Sequence, residues 1–239
     1  MFFILPLLPF LAIYILAAVL PAVILLRYIY RTDTVEKEPP GLLVLLLLMG
    51  VVAALCSGIL EGLGETLLNA LVDPGSPAYT ILLAFLVVAL VEEGTKFILL
   101  KKCTWYHPAF NYRFDAIVYA VFVSLGFAAF ENIQYVLNYG LSVALPRALL
   151  AVPGHMSFAV FMGLFYGRAK LCEAYSYRRG MKRNLLTGYL VAVFLHGFYD
   201  TCAMIGSAVS TVVFLVFVGI MYFWVFRLLK RESSNDVPV

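Results

Sequence analysis

Glu92, Glu93 and Lys96 stand within about one helical turn, so the lysine can pair with either carboxylate at i+3 or i+4. Farther along, Phe127 and Glu131 share a helical face at i, i+4, with Asn132 next. His155 follows Pro153-Gly154, and His196 and Asp200 again fall at i, i+4. Two histidines and a glutamate can supply three ligands to a catalytic zinc and leave a fourth position for water. On that reading a second carboxylate nearby, tuned by burial or by Lys96, is the base that activates the water. Without metal, a Glu and His pair can activate water while His and Asp or Asn hold the developing oxyanion. Both schemes hydrolyse a carbonyl-type bond, and the residues leave both open. The four cysteines, Cys56, Cys103, Cys172 and Cys202, show neither a CxxC pair nor metal-type spacing, and reduced thiols are expected.

The elements that must position these groups are membrane helices. Of 239 residues, 63% are hydrophobic and 13% charged, and mean hydropathy is +0.95. Soluble domains carry roughly 25% charged residues, so composition excludes a water-soluble globule, and with it a nucleic-acid binder. Apolar runs fall near 3–26, 41–64, 80–100, 115–138, 147–168, 185–204 and 207–228, each long enough to cross a bilayer. The expected architecture is all-α: a polytopic helical bundle of about seven transmembrane helices, or eight. It forms one domain over 1–239, with the motifs within 80–204. The apolar N-terminus lacks a basic leading region and reads as the first span, not as a removable signal.

Basic residues count three in 27–40, three in 101–114, six in 168–184 and three in the C-terminal tail, whereas Arg147 is alone in the alternate loops. The positive-inside rule then puts the N-terminus outside and the C-terminus in the cytoplasm, with an odd number of spans. The 205–206 turn is the weakest joint of that scheme. Measured from the outer span ends at 1.5 Å per residue, Glu131, His155, His196 and Asp200 lie about 7 to 15 Å deep, and the Glu92-Glu93 pair about 18 to 20 Å. Ionisable groups inside membrane spans are costly and mark function by default, so one shared polar layer on four helices points to one site.

The motifs Glu92-Glu93-Gly94-Thr95-Lys96, Phe127 to Glu131-Asn132, Gly154-His155-Met156-Ser157-Phe158 and His196 to Asp200, in that order, resemble the PrsW family of intramembrane proteases. That family is similar to the CAAX prenyl protease and Abi group. The likeness covers about 80–204. It implies an integral membrane endopeptidase in the plasma membrane of a prokaryotic cell. The substrate would be a membrane-anchored, single-pass protein cut near the extracytoplasmic face, as in anti-sigma-factor proteolysis. It further implies that Glu92 and Glu93 are essential, with Glu131, His155 and His196 as the remaining catalytic or metal-binding positions. Zinc and a metal-free glutamate mechanism are both compatible with it. In either scheme Lys96 tunes the glutamate pair, and Asp200 and Asn132 orient a histidine or stabilise the oxyanion.

Two rival classes remain. A noncatalytic scaffold or chaperone of the same fold would be expected to lose a motif position, and all are filled. A proton-coupled carrier would favour two similar halves, and no internal repeat is visible. Glu61 and Glu65 share a face near the outer end of the second run and read chiefly as structural, with a substrate entrance as the alternative. Gly58 and Gly62 read as a helix-packing face. Trp105, Tyr106, Phe110, Tyr112 and Phe114 read as an interfacial aromatic belt.

Overall fold

A computed structural model describes residues 7–239 as seven successive helices. We number them α1 (Leu7–Thr32), α2 (Pro40–Leu71), α3 (77–104), α4 (Asp115–Tyr139), α5 (Leu141–Ala174), α6 (Arg178–Ile205) and α7 (Ala208–Ser234). The beginning of the first expected run, and with it the apolar N-terminus read as part of a span, lies outside the described residues. Six of the seven are long and apolar enough to cross a membrane; α3, with Glu92, Glu93 and Lys96 in its apolar stretch, is the other. The chain is a multi-pass membrane protein.

Helix boundaries follow local chemistry. Proline opens α2 at Pro40, where its missing N–H is not needed. The 205–206 joint is a real turn: Gly206 takes φ +63°, a left-handed conformation suited to glycine, and ends α6. Ser207 then caps α7, its Oγ accepting from the Ser210 N–H at 3.1 Å.

α4 is the hub. Every residue from 115 to 128 is buried, and the helix is enclosed by α1, α2 and α5. The outer helices turn apolar side chains outward; Ile59 and Val209 are 69% and 75% exposed, as lipid-facing residues must be. Close approach of α2 to α4 depends on two glycines. A Cβ on Gly50 would lie 2.1 Å from the Val123 carbonyl oxygen, and one on Gly126 2.2 Å from that of Leu47. The expected packing face at Gly58 and Gly62 is a correction: a Cβ at either would meet nothing within 4 Å.

The basic loops gather at one end of the bundle. Asn111 donates to Glu36 at 3.0 Å, and Trp105 Nε1 donates to Glu173 at 2.9 Å. The tail pairs with the third loop through Arg113 N–H to Val237 O and Val239 N–H to Asn111 O, both 2.9 Å. Beneath this lid lie Glu38, which accepts from the Tyr119 hydroxyl, and Asp115, which accepts from the N–H groups of Asn111 (3.0 Å) and Tyr112 (2.7 Å). Burial pushes the Glu38 carboxyl above its usual range and raises Asp33 to about 6.

The aromatic belt is corrected here as well. Trp105, Phe110 and Phe114 are buried and only Tyr106 is well exposed. Phe110 stacks on Tyr166 with centroids 5.5 Å apart, and Trp105 meets the same ring edge-on at 5.1 Å. In loop 105–114 these rings anchor the connection in the bundle instead of floating at a lipid interface.

Candidate active site

At the opposite end, five helices wall a cavity of about 280 Å³. α2 contributes Glu61, α3 Glu92, α4 Glu131, α5 His155 and Arg147, and α6 His196 and Asp200. The polar layer expected from span depths is therefore one place.

Two irregular helical stretches aim the key residues. Residues Leu83–Ala89 of α3 and Arg147–Ala151 of α5 form wide π turns just ahead of Glu92 and His155. Such turns are rare and recur at functional sites. In a membrane their strained carbonyls need donors. The Tyr189 hydroxyl of α6 donates to Leu90 O at 2.9 Å, and Tyr222 of α7 donates to Leu150 O at 2.8 Å. The irregularity beside His155 thus ends just before Pro153-Gly154.

Lys96 is buried and binds both acids of its own helix, Glu92 Oε2 at 3.0 Å and Glu93 Oε1 at 2.8 Å. Its Nζ also lies 3.9 Å from the Phe127 ring centre and 3.3 Å from His155 Nδ1. A buried ammonium needs such company, because an unpaired charge in an apolar interior is prohibitively costly. The two glutamates differ in what they face. Glu92 lines the cavity, whereas Glu93 sits behind His196 and accepts from its Nδ1 at 3.0 Å.

That bond puts a proton on His196 Nδ1, and Nε2 of the same ring faces the cavity. Nε2 lies 3.2 Å from Asp200 Oδ2 and 4.0 Å from Glu92 Oε2. Phe158 stacks on the ring with centroids 4.8 Å apart and holds its plane. His155 donates from Nε2 to Glu131 Oε2 at 2.9 Å when Nδ1 accepts from Lys96. Glu131 also pairs with Arg147 at 3.2 Å.

Two carboxylate oxygens thus approach His196 Nε2, and ligand atoms of Glu92, His155 and His196 all lie within 4.8 Å of one another. Facing lone pairs repel unless a cation or proton sits among them. Two histidines and a glutamate can hold a divalent metal and leave a position open for water. The residues fit a metal, with one adjustment: ligation by His155 replaces its contact with Lys96 or with Glu131.

Of the residues expected from sequence, Glu92, Glu131, His155, His196 and Asp200 line the cavity, and Glu93 and Lys96 lie directly behind it. Asn132 stands apart: its amide donates to Ala18 O at 2.7 Å and accepts from Arg147 Nε at 2.8 Å, which places it against α1. The carboxylate grouped with both histidines is Glu92, where the motifs suggested Glu131. Two cavity residues lie outside the expected catalytic set. Glu61 faces inward while Glu65 is exposed, so the pair read together separates. Arg147 carried a signal in the sequence as the single basic residue outside the basic loops.

A family profile described as PrsW family intramembrane metalloprotease matches residues 38–227. The chain belongs to the PrsW family. Protease PrsW of Geobacillus kaustophilus is 38% identical over 184 residues, covering 77% of this chain and 76% of that protein. Protease PrsW of Bacillus subtilis is 30% identical over 221 residues, covering 92% and 95%, and that of Clostridioides difficile is 31% identical over 222, covering 91% and 90%. No solved structure matches. The PrsW profile spans every cavity residue named above, and the protein is an intramembrane peptidase.

Proposed function

We propose that this peptidase cuts a membrane-anchored, single-pass protein near the extracytoplasmic face of a prokaryotic plasma membrane, in the manner of anti-sigma-factor proteolysis. The observation that carries the reading is the convergence of Glu92, His155 and His196 at the wall of one cavity, at the end of the bundle opposite the basic loops. The positive-inside rule assigns that end to the outside, with the N-terminus there and the C-terminus in the cytoplasm.

We assign a divalent metal, zinc by donor chemistry, to Glu92, His155 and His196. Zinc held there supplies Lewis-acid polarisation and a water of lowered pKa. The protein's own groups do the rest. Glu93 holds the His196 proton on Nδ1, and Lys96 fixes the two glutamates. Glu131 is placed to take a proton from the attacking water: Oε2 is occupied by His155 and Arg147, and Oε1 has no hydrogen-bond partner among the described residues. Arg147 and Asp200 sit at the cavity wall to orient the substrate carbonyl and the leaving amine.

One observation favours a metal-free version: both His155 nitrogens already have partners. In that version Glu92 is the base.

The test is quantitative membrane proteomics of bacterial cells expressing wild type or Glu92→Gln, followed by cleavage of the accumulating protein in liposomes. Metal content of purified protein is measured alongside. Cleavage by wild type with bound zinc, both lost in His196→Ala, is the expected result. Undiminished cleavage by Glu92→Gln sinks the assignment, and full activity in metal-free protein selects the glutamate version.

A further inference from the structure

Ala54, Gly58 and Glu61 fall at i, i+4 and i+7 on α2 and all line the cavity. They make a face that is small for two turns and ends in an acid. A Cβ on Gly58 would meet nothing within 4 Å, so the glycine fronts open space. Glu61 Oε1 is buried and has no hydrogen-bond partner among the described residues. The other cavity acids are engaged: Glu92 with Lys96 at 3.0 Å, Glu131 with His155 at 2.9 Å, and Asp200 with His196 at 3.2 Å.

Hydrolysis imposes a demand that this acid can meet. A peptide bond inside a helix is shielded by its neighbouring turns, so a membrane substrate must unwind before water reaches its carbonyl. Unwinding frees backbone N–H groups in a medium that offers no water to bind them. The cavity must supply acceptors, and a carboxyl oxygen is one. The absence of side chains at Gly58, and the single methyl of Ala54, let a peptide backbone approach α2 closely.

We propose that Glu61 is a substrate-binding residue. Its Oε1 accepts a hydrogen bond from a backbone N–H of the unwound substrate strand, which runs along the Ala54–Gly58 face of α2. The proposal rests on the peptidase reading, and its test begins only after that reading has been checked. The probe is an internally quenched peptide copying the cleaved segment and anchor of the protein identified above. Wild type must cut it, and Glu92→Gln must not.

In liposomes, Glu61→Leu is expected to raise KM about 4- to 10-fold, the value of an ordinary hydrogen bond, with kcat within about twofold. Glu61→Gln keeps an acceptor oxygen and stays within about threefold of wild-type KM. A series of the same peptide N-methylated at successive positions supplies the direct readout. One position weakens binding to wild type and adds no further penalty in Glu61→Leu, which is the signature of coupled partners. Unchanged kinetics in Glu61→Leu, a loss confined to kcat, or an N-methyl penalty equal in both proteins would overturn the proposal. Should Glu61→Leu fail to fold, Gly58→Leu decides, because its side chain enters open space. A raised KM supports the proposal, and an unchanged KM overturns it.

Discussion

Buried carboxylates crowd both ends of this bundle, and the two groups behave differently. At the loop end, Glu38, Asp115 and Asp236 bind hydroxyl and backbone N–H donors beneath the third loop and the tail. At the other end, Glu61, Glu92, Glu131 and Asp200 face a shared cavity with two histidines and one arginine. Among the described residues, oxygens without partners occur at both ends, at Asp33 and Asp236 in one and at Glu61 and Glu93 in the other. Neither crowding nor an orphan oxygen therefore marks a reactive site by itself. What separates the two groups is that one lines a shared cavity and turns toward the histidines there. The loop-end cluster is a latch built from the same residue types.

The largest expected difference is catalytic. Glu92→Gln should lower kcat by a factor of about 10² to 10⁴, whereas Glu38→Gln should leave cleavage within about twofold, both read in liposomes. Comparable losses in both variants would erase the distinction. Glu93→Ala should weaken metal affinity about 10- to 100-fold, measured by chelator competition, although Glu93 does not reach the cavity. Unaltered affinity would remove its role behind His196.

On stability, Gly50→Leu should cost about 1–3 kcal/mol or more by forcing α2 off α4, while Gly58→Leu should cost almost nothing. Thermal unfolding in detergent reads both, and equal melting temperatures would contradict the close approach at Gly50. The smallest effect is a pH slope. Asp33 has a folded-state pKa raised from 3.8 to about 6, so its neutral form suits the fold and its contribution to stability falls as pH rises through that window. Asp33→Asn should flatten the melting temperature between those two pH values, and an unchanged slope would place the titrating group elsewhere.

Much of the site was legible because each catalytic type is rare in apolar sequence, and helical spacing put Glu131, His196 and Asp200 on definable faces at comparable depth. The seven helices were legible from run length for the same reason. What periodicity could not supply was rotation. Asn132 follows Glu131 directly, about 100° around the helix, and that step turns it from the cavity to α1. Glu61 and Glu65 share a face in sequence, yet only the first lines the cavity. Glu92 and Glu93 looked equivalent until α6 placed His196 against one of them. The aromatic residues near 105–114 matched an interfacial composition, but the loop folds back onto Tyr166, a long-range contact with no local signature.

The wide turns and buried charges of α3 also bear on how the protein enters the bilayer. Scales of biological insertion charge each central Lys or acid about 2.5–3.5 kcal/mol, so three such residues outweigh what the apolar half of α3 gains. This helix is poorly suited to inserting as an independent unit. It becomes comfortable in lipid once His155 and His196 from helices synthesised later arrive to face its charges. Completion of the site and stable residence of α3 in the membrane are then one event, and a chain that fails to assemble its chemistry exposes α3 as a target for quality-control proteolysis.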